Sequence, residues 1–140
     1  MKRLIYAILL LTPLLSLGQD VFGTWRTIDD ETGEAKSTVK IYMENGKVFG
    51  KILDIYNEAD KNALCTTCEG EEYNKPVIGL VIIKDMIKDG EDYTNGTIFD
   101  PERGKKYKCK LSLDEENPDI LQVRGYVSIF YATQYWERIN

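Results

Sequence analysis

The residues with recognisable chemistry are Cys65-Thr66-Thr67-Cys68. Two cysteines at this spacing can exchange electrons, contribute to a zinc site or close a local disulfide. Redox work needs surroundings that favour the thiolate, but Glu69, Glu71 and Glu72 follow directly and oppose it. Zinc needs four ligands, and in a chain without histidine only Cys109 and carboxylates are left to complete the set. A disulfide between Cys65 and Cys68 that ties down its own loop is therefore the expectation, with a thiol-active protein as the weaker alternative. Cys109 stands between Tyr107 and Leu111 on the apolar side of an alternating segment, which marks a buried, inert thiol. Pairing of Cys109 with one of the loop cysteines is the other possibility.

The absence of histidine removes the usual general base near neutral pH and the commonest metal ligand. No catalytic set, metal site or cofactor is expected, and the chain does not read as an enzyme. Asp29-Asp30-Glu31 lacks the spacing of a calcium loop, and with Thr32-Gly33 it suits a solvated turn. Asp100-Pro101-Glu102-Arg103-Gly104 is likewise explained by turn geometry, with proline presetting φ and glycine permitting a positive φ. The C-terminal alternation places Gln134, Trp136 and Arg138 on one face. If that face is interior, Trp25, Tyr107, Arg124, Gln134, Trp136 and Arg138 would line a cavity for a small hydrophobic or amphipathic ligand. The competing reading is a cation–π staple that closes one end, with an arginine over a tryptophan.

These residues must be held by strands. Nine tyrosines, with valine, isoleucine, threonine and phenylalanine, weight the chain toward β-structure, and no amphipathic helix of ordinary length is visible. Strands are expected at Gly23 to Ile28, Ser37 to Glu44, Lys47 to Ile55, Val77 to Ile83, Tyr93 to Phe99, Lys105 to Leu113, Ile120 to Tyr126 and Ala132 to Ile139. Asn45-Gly46 predicts a two-residue type I′ hairpin, which pairs Met43 with Val48, Ile41 with Gly50 and Val39 with Ile52 on the core face. Tyr42 then faces Phe49, and Lys40 faces Lys51, on the other. Tyr56 to Lys75 is long for a loop, and such loops are functional, stapled or partly helical. Eight sequential antiparallel strands close most simply into an up-and-down barrel, with a two-sheet sandwich as the alternative.

Lys2-Arg3, an apolar run from Leu4 to Leu15 and Ser16-Leu17-Gly18 have the form of an export signal. The run is far short of the roughly 20 residues that span a bilayer. Residues 1–18 are expected to be removed, leaving one domain over residues 19–140 in a periplasm or outside the cell, without a transmembrane anchor. That remainder carries 16 basic and 23 acidic residues, a net −7, which disfavours nucleic acid and anionic lipid as partners while leaving local basic patches possible.

Together the segments resemble a family of small exported bacterial proteins known as domain of unknown function 2147. The residues that carry the likeness are Gly23-Thr24-Trp25-Arg26-Thr27, Asp29 to Gly33, Cys65-Thr66-Thr67-Cys68, Asn74-Lys75-Pro76, Gly79-Leu80, Asp100 to Tyr107, Val123-Arg124-Gly125-Tyr126 and Thr133 to Arg138. The resemblance implies a lipocalin-like barrel and an exported location, with no established activity. Asn95-Gly96 and Ile129-Phe130-Tyr131 depart from the family pattern and are expected at strand ends or the barrel mouth. The Gly23-x-Trp25 start is similar to lipocalin-type barrels, in which a cation from the last strand covers the tryptophan, a part open to Arg138 or Arg124. The expected function is non-catalytic binding of a small hydrophobic or amphipathic ligand; a side-chain-filled envelope interaction module is the alternative.

Overall fold

The computed structural model describes residues 20–140, so the segment read as an export signal lies outside the described residues. Eight antiparallel strands follow one another: β1 (Gly23–Ile28), β2 (Ala35–Glu44), β3 (Lys47–Ile55), β4 (Val81–Asp89), β5 (Asp92–Asp100), β6 (Lys105–Leu113), β7 (Ile120–Val127) and β8 (Phe130–Arg138). Each pairs with the next and β8 returns to β1, which closes the barrel. Closure follows from short turns and alternation, because an open edge would leave backbone N–H and C=O groups unpaired.

The β2–β3 hairpin has the register that Asn45-Gly46 dictates, with Met43 opposite Val48, Ile41 opposite Gly50 and Val39 opposite Ile52. Both turn residues have positive φ, 51° at Asn45 and 77° at Gly46. Aspartates build other turns. Asp29 Oδ1 accepts the N–H groups of Glu31 and Thr32 at 2.8 and 3.1 Å. Those two bonds hold the Asp29 carboxyl below its usual pKa. Asp100 accepts from Glu102 and Arg103 in the same way, so both acidic motifs are turns.

Two expectations need correction. The fourth strand runs over Val81–Asp89 and not Val77 to Ile83. Val77 and Gly79 instead donate to Ala63 and Ile52, and Leu80 N–H returns to the Val77 carbonyl, so this apolar stretch closes the long loop. Asp85, at φ 61°, interrupts the strand's alternation and conceals it in the sequence. Asn95-Gly96 lies within β5, away from its ends, at an irregularity in the pairing with β6. Gly96 is required there, since a Cβ would collide with the Lys84 carbonyl oxygen and the Met86 sulfur. Ile129-Phe130-Tyr131 does lie at a strand end, in the β7–β8 hairpin.

The interior is filled by side chains. Trp25, Val39, Ile41, Val48, Ile83, Met86, Tyr93, Leu111, Leu121 and Trp136 are fully buried or nearly so, each contributing roughly 1.5–3 kcal/mol relative to exposure. An eight-stranded barrel is just wide enough for such filling. One end is plugged by the chain entering β1, where Val21 is fully buried and Phe22 meets Tyr93 edge-on with ring centroids 6.1 Å apart. At the other end β1 and β8 part company. They pair only at Trp25 with Arg138 and Arg26 with Glu137, so the upper part of β8 is bonded to β7 alone.

Candidate functional site

Between β3 and β4 the chain makes its longest excursion, residues 56–80, and this segment builds a concavity on the outside of the barrel. It contains two short 3-10 turns, Glu58–Asp60 and Gly70–Glu72. Cys65 and Cys68 are joined by a disulfide with Cα atoms 5.4 Å apart. Both cysteines are buried against the core. Backbone bonds from Cys65 N–H to the Lys75 carbonyl (2.7 Å) and from Asn74 N–H to the Cys65 carbonyl (2.9 Å) double the loop back on itself. Thr67 Oγ1 donates to the Pro101 carbonyl at 2.6 Å and fastens the loop to the β5–β6 turn.

The held loop faces the outer side of the β2–β3 hairpin across an open groove of about 460 Å³. Tyr42 and Phe49, stacked with centroids 6.0 Å apart, form one wall. Pro76, Ile78, Leu80 and Val81 supply aliphatic surface opposite, and Glu44, Glu72, Lys75 and Lys84 add charge. Lys84 Nζ lies 2.7 Å from Glu72 Oε1 and ties the loop to β4. Lys75 has no ion-pair partner among the described residues. Burial pushes the Tyr42 phenol above its usual pKa, with Glu44 adding to the effect. The groove thus combines an apolar body with a cation at its edge, which suits an amphipathic molecule. A second groove, about 570 Å³, runs over β5 to β7 between Thr94, Asn95, Thr97, Lys108, Lys110 and Tyr126.

The six residues expected around an internal cavity are dispersed. Trp25 is fully buried and its Nε1–H donates to the Val21 carbonyl at 2.8 Å. Arg138 lies over its ring at 4.3 Å and donates to the carbonyls of Phe22 (3.0 Å), Asp20 (2.8 Å) and Pro118 (3.3 Å). These two residues form the cation–π staple, at the plugged end. Trp136 is packed in the core and its Nε1–H donates to Gln134 Oε1 at 3.2 Å, while Gln134 itself is exposed. Tyr107 points inward and is half-buried, with its Cβ 3.4 Å from where a Cβ on Gly125 would sit.

Arg124 corrects the reading most sharply. It pairs with Lys110 and Thr133 across the outer surface of the sheet. Its Nε donates to Thr133 Oγ1 at 3.0 Å and its guanidinium covers Tyr131 at 4.3 Å. The six therefore do not share one lining: Trp25 and Trp136 are packed in the core, Gln134 is exposed and Arg124 lies on the outside of the sheet.

Cys109 is a buried free thiol whose pKa is pushed up to about 12 by desolvation. The groove residues Ile78 and Leu80 escaped the sequence reading. The outward Tyr42–Phe49 pair was visible in the hairpin register, but its cover by a loop thirty residues away was not.

The sequence from residue 23 to residue 138 matches the family model described as an uncharacterized protein conserved in bacteria, DUF2147. The chain belongs to the DUF2147 family. No curated protein matches this DUF2147 member. Among solved structures it resembles protein HP1028 from Helicobacter pylori, described as belonging to the lipocalin family, at 19% identity and a TM-score of 0.73. The alignment covers 86% of this chain and 84% of that one. The likeness establishes a lipocalin-like barrel for this DUF2147 member.

Proposed function

We propose that the protein is an exported, non-catalytic binder of a small amphipathic molecule, held in the groove between the stapled loop and the β2–β3 hairpin. The observation that carries the reading is the groove itself: stacked Tyr42 and Phe49 face Ile78 and Leu80, with Lys75 beside them. The lipocalin-like fold favours binding over catalysis, and the filled interior directs a ligand to the outer surface. Lys75 would meet an anionic or polar head while the aromatic and aliphatic walls cover the apolar part. The basic start and apolar run of residues 1–18 support export, and the disulfide accords with an oxidising compartment.

Titration calorimetry with dodecanoate as the probe tests the reading. Saturable binding is expected, weakened about tenfold by Ile78→Asp through loss of apolar contact and less by Lys75→Glu. Absence of saturable heat, together with the absence of any retained small molecule in native mass spectra of host-purified protein, would overturn it. That outcome would leave the interaction-module alternative, which the filled barrel favours.

A further inference from the structure

The β7–β8 hairpin presents apolar side chains to solvent in a way that no other turn of the barrel does. Val127, Ile129, Phe130 and Tyr131, at and beside its tip, are 56%, 84%, 73% and 61% exposed. The turn is Ser128-Ile129, and Ser128 adopts φ 57°. A large β-branched side chain in so open a position does nothing for the core. Upper β8 has no pairing with β1, so on that side the hairpin is an open edge, while β7 stays bonded to β6.

The outer faces of the strands leading to this tip are cationic. Along β6, Lys106, Lys108 and Lys110 alternate with the inward Tyr107, Cys109 and Leu111. Across β7, Arg124 and Tyr126 face the same way, with Lys108 opposite Tyr126 and Lys110 opposite Arg124. Lys110 is engaged by Asp92 at 3.4 Å, but Lys106 and Lys108 have no ion-pair partner among the described residues. The outward positions of β6, β7 and β8 from the tip to mid-strand are Lys106, Lys108, Lys110, Arg124, Tyr126, Tyr131, Thr133 and Tyr135, without one carboxylate. Glu137, at the far end of β8, is paired with Arg26. In a chain with 23 acidic residues against 18 basic ones, such a face is a segregation of charge.

We infer that this hairpin docks the protein on an anionic phospholipid surface. Val127, Ile129 and Phe130 enter the region between headgroups and acyl chains, Tyr126 and Tyr131 lie at the polar boundary, and Lys106, Lys108 and Arg124 meet lipid phosphates. Apolar insertion and electrostatic attraction each give weak binding alone and reinforce one another, as in other peripheral anchors. Arg124 is already seated over Tyr131, so the cation and the boundary aromatic are positioned together. The net negative charge of the whole chain opposes nonspecific adsorption and orients the molecule by this one face. This inference uses neither the groove nor its ligand.

Co-sedimentation with vesicles of phosphatidylglycerol and phosphatidylcholine, against phosphatidylcholine alone, tests it. Binding is expected to the anionic vesicles, declining with added salt. The double variant Lys106→Glu, Lys108→Glu should weaken it at least about 25-fold, from about fivefold per cation. Ile129→Ser with Phe130→Ser should weaken it about tenfold or more. Phe130→Trp should keep binding and show an emission blue shift on anionic vesicles. All four side chains are exposed, so unchanged far-ultraviolet circular dichroism is expected. No sedimentation with anionic vesicles, equal binding to both vesicle types, or binding indifferent to the charge and tip variants would overturn the inference and make the hairpin a surface for a protein partner.

Discussion

Replacing Arg138 with methionine keeps most of the side chain's apolar volume and removes its charge and its donors. The loss can be worked from its surroundings. The guanidinium is 4.3 Å from the centre of the Trp25 ring, and a desolvated contact of this kind contributes about 2 kcal/mol. It also donates to three backbone carbonyls, those of Phe22, Asp20 and Pro118. The Arg138 side chain is only 15% exposed, so water replaces these bonds poorly. Charged hydrogen bonds contribute about 1.5–3 kcal/mol each, but three on one group are not additive. Nε faces the Asp119 carboxylate at 3.3 Å without a hydrogen bond, and Asp119 is well exposed, so that pair adds little. The expected loss is about 4 kcal/mol. In urea, followed by far-ultraviolet circular dichroism, this should lower the midpoint by about 2 M for a slope near 2 kcal/mol per molar. Arg138→Lys should recover less than half, because one ammonium cannot stack on the ring and also reach carbonyls on both sides. A methionine variant within about 0.5 M of the parent would refute the view that the staple holds the plugged end, since the stacking contribution alone predicts more.

The buried thiol should make the barrel sensitive to alkali. With the Cys109 pKa raised from 9.0 to about 12, its contribution is intact below pH 9 and is lost as pH rises toward 12, up to about 4 kcal/mol. Tyr93, raised from 10.0 to about 12 mainly by burial and then by Asp20, acts in the same sense from pH 10 upward. Stability measured in urea should therefore fall above pH 9, and Cys109→Val should delay the onset to about pH 10; an unchanged onset would contradict this account. Gly96→Ala should cost about 3 kcal/mol through overlap with the Lys84 carbonyl and Met86. Gly125→Ala, which meets Tyr107 at 3.4 Å, should be tolerated, and equal thermal shifts in the two variants would refute the packing argument. Thiol titration of denatured, unreduced protein should find one reactive cysteine. Cys65→Ser with Cys68→Ser should lose about 2 kcal/mol and weaken binding of dodecanoate, whereas unchanged affinity would separate the staple from the groove.

How far the sequence could be read depended on the range of the interaction involved. Asn45-Gly46 set the hairpin register because positive φ at two successive positions admits few residues, and every pairing it implied is present. The alternation of Lys106, Lys108 and Lys110 with Tyr107, Cys109 and Leu111 gave the two faces of β6 directly, since the strand repeat is two. The same reasoning misplaced β4, where Asp85 breaks the repeat and the apolar stretch Val77 to Leu80 is bonded to Ala63 and Ile52. It correctly placed Gln134, Trp136 and Arg138 on one face, but a face does not specify its contents. Whether that face holds a ligand depends on what seven other strands send into the same space.

Local chemistry by itself therefore pointed to eight sequential strands, to the turns at Asn45-Gly46, Asp29 and Asp100, to a Cys65–Cys68 disulfide and to an inert Cys109. They rest on φ preferences, on alternation and, for the disulfide, on close spacing together with the export signal. Only the tertiary structure decided how the barrel core is packed, that Arg138 and not Arg124 covers Trp25, and that a groove forms between residues 75–81 and the Tyr42–Phe49 pair. These outcomes are set by volume and by contacts between residues far apart in the chain. Barrel closure fixes both at once, and no short stretch of sequence carries them.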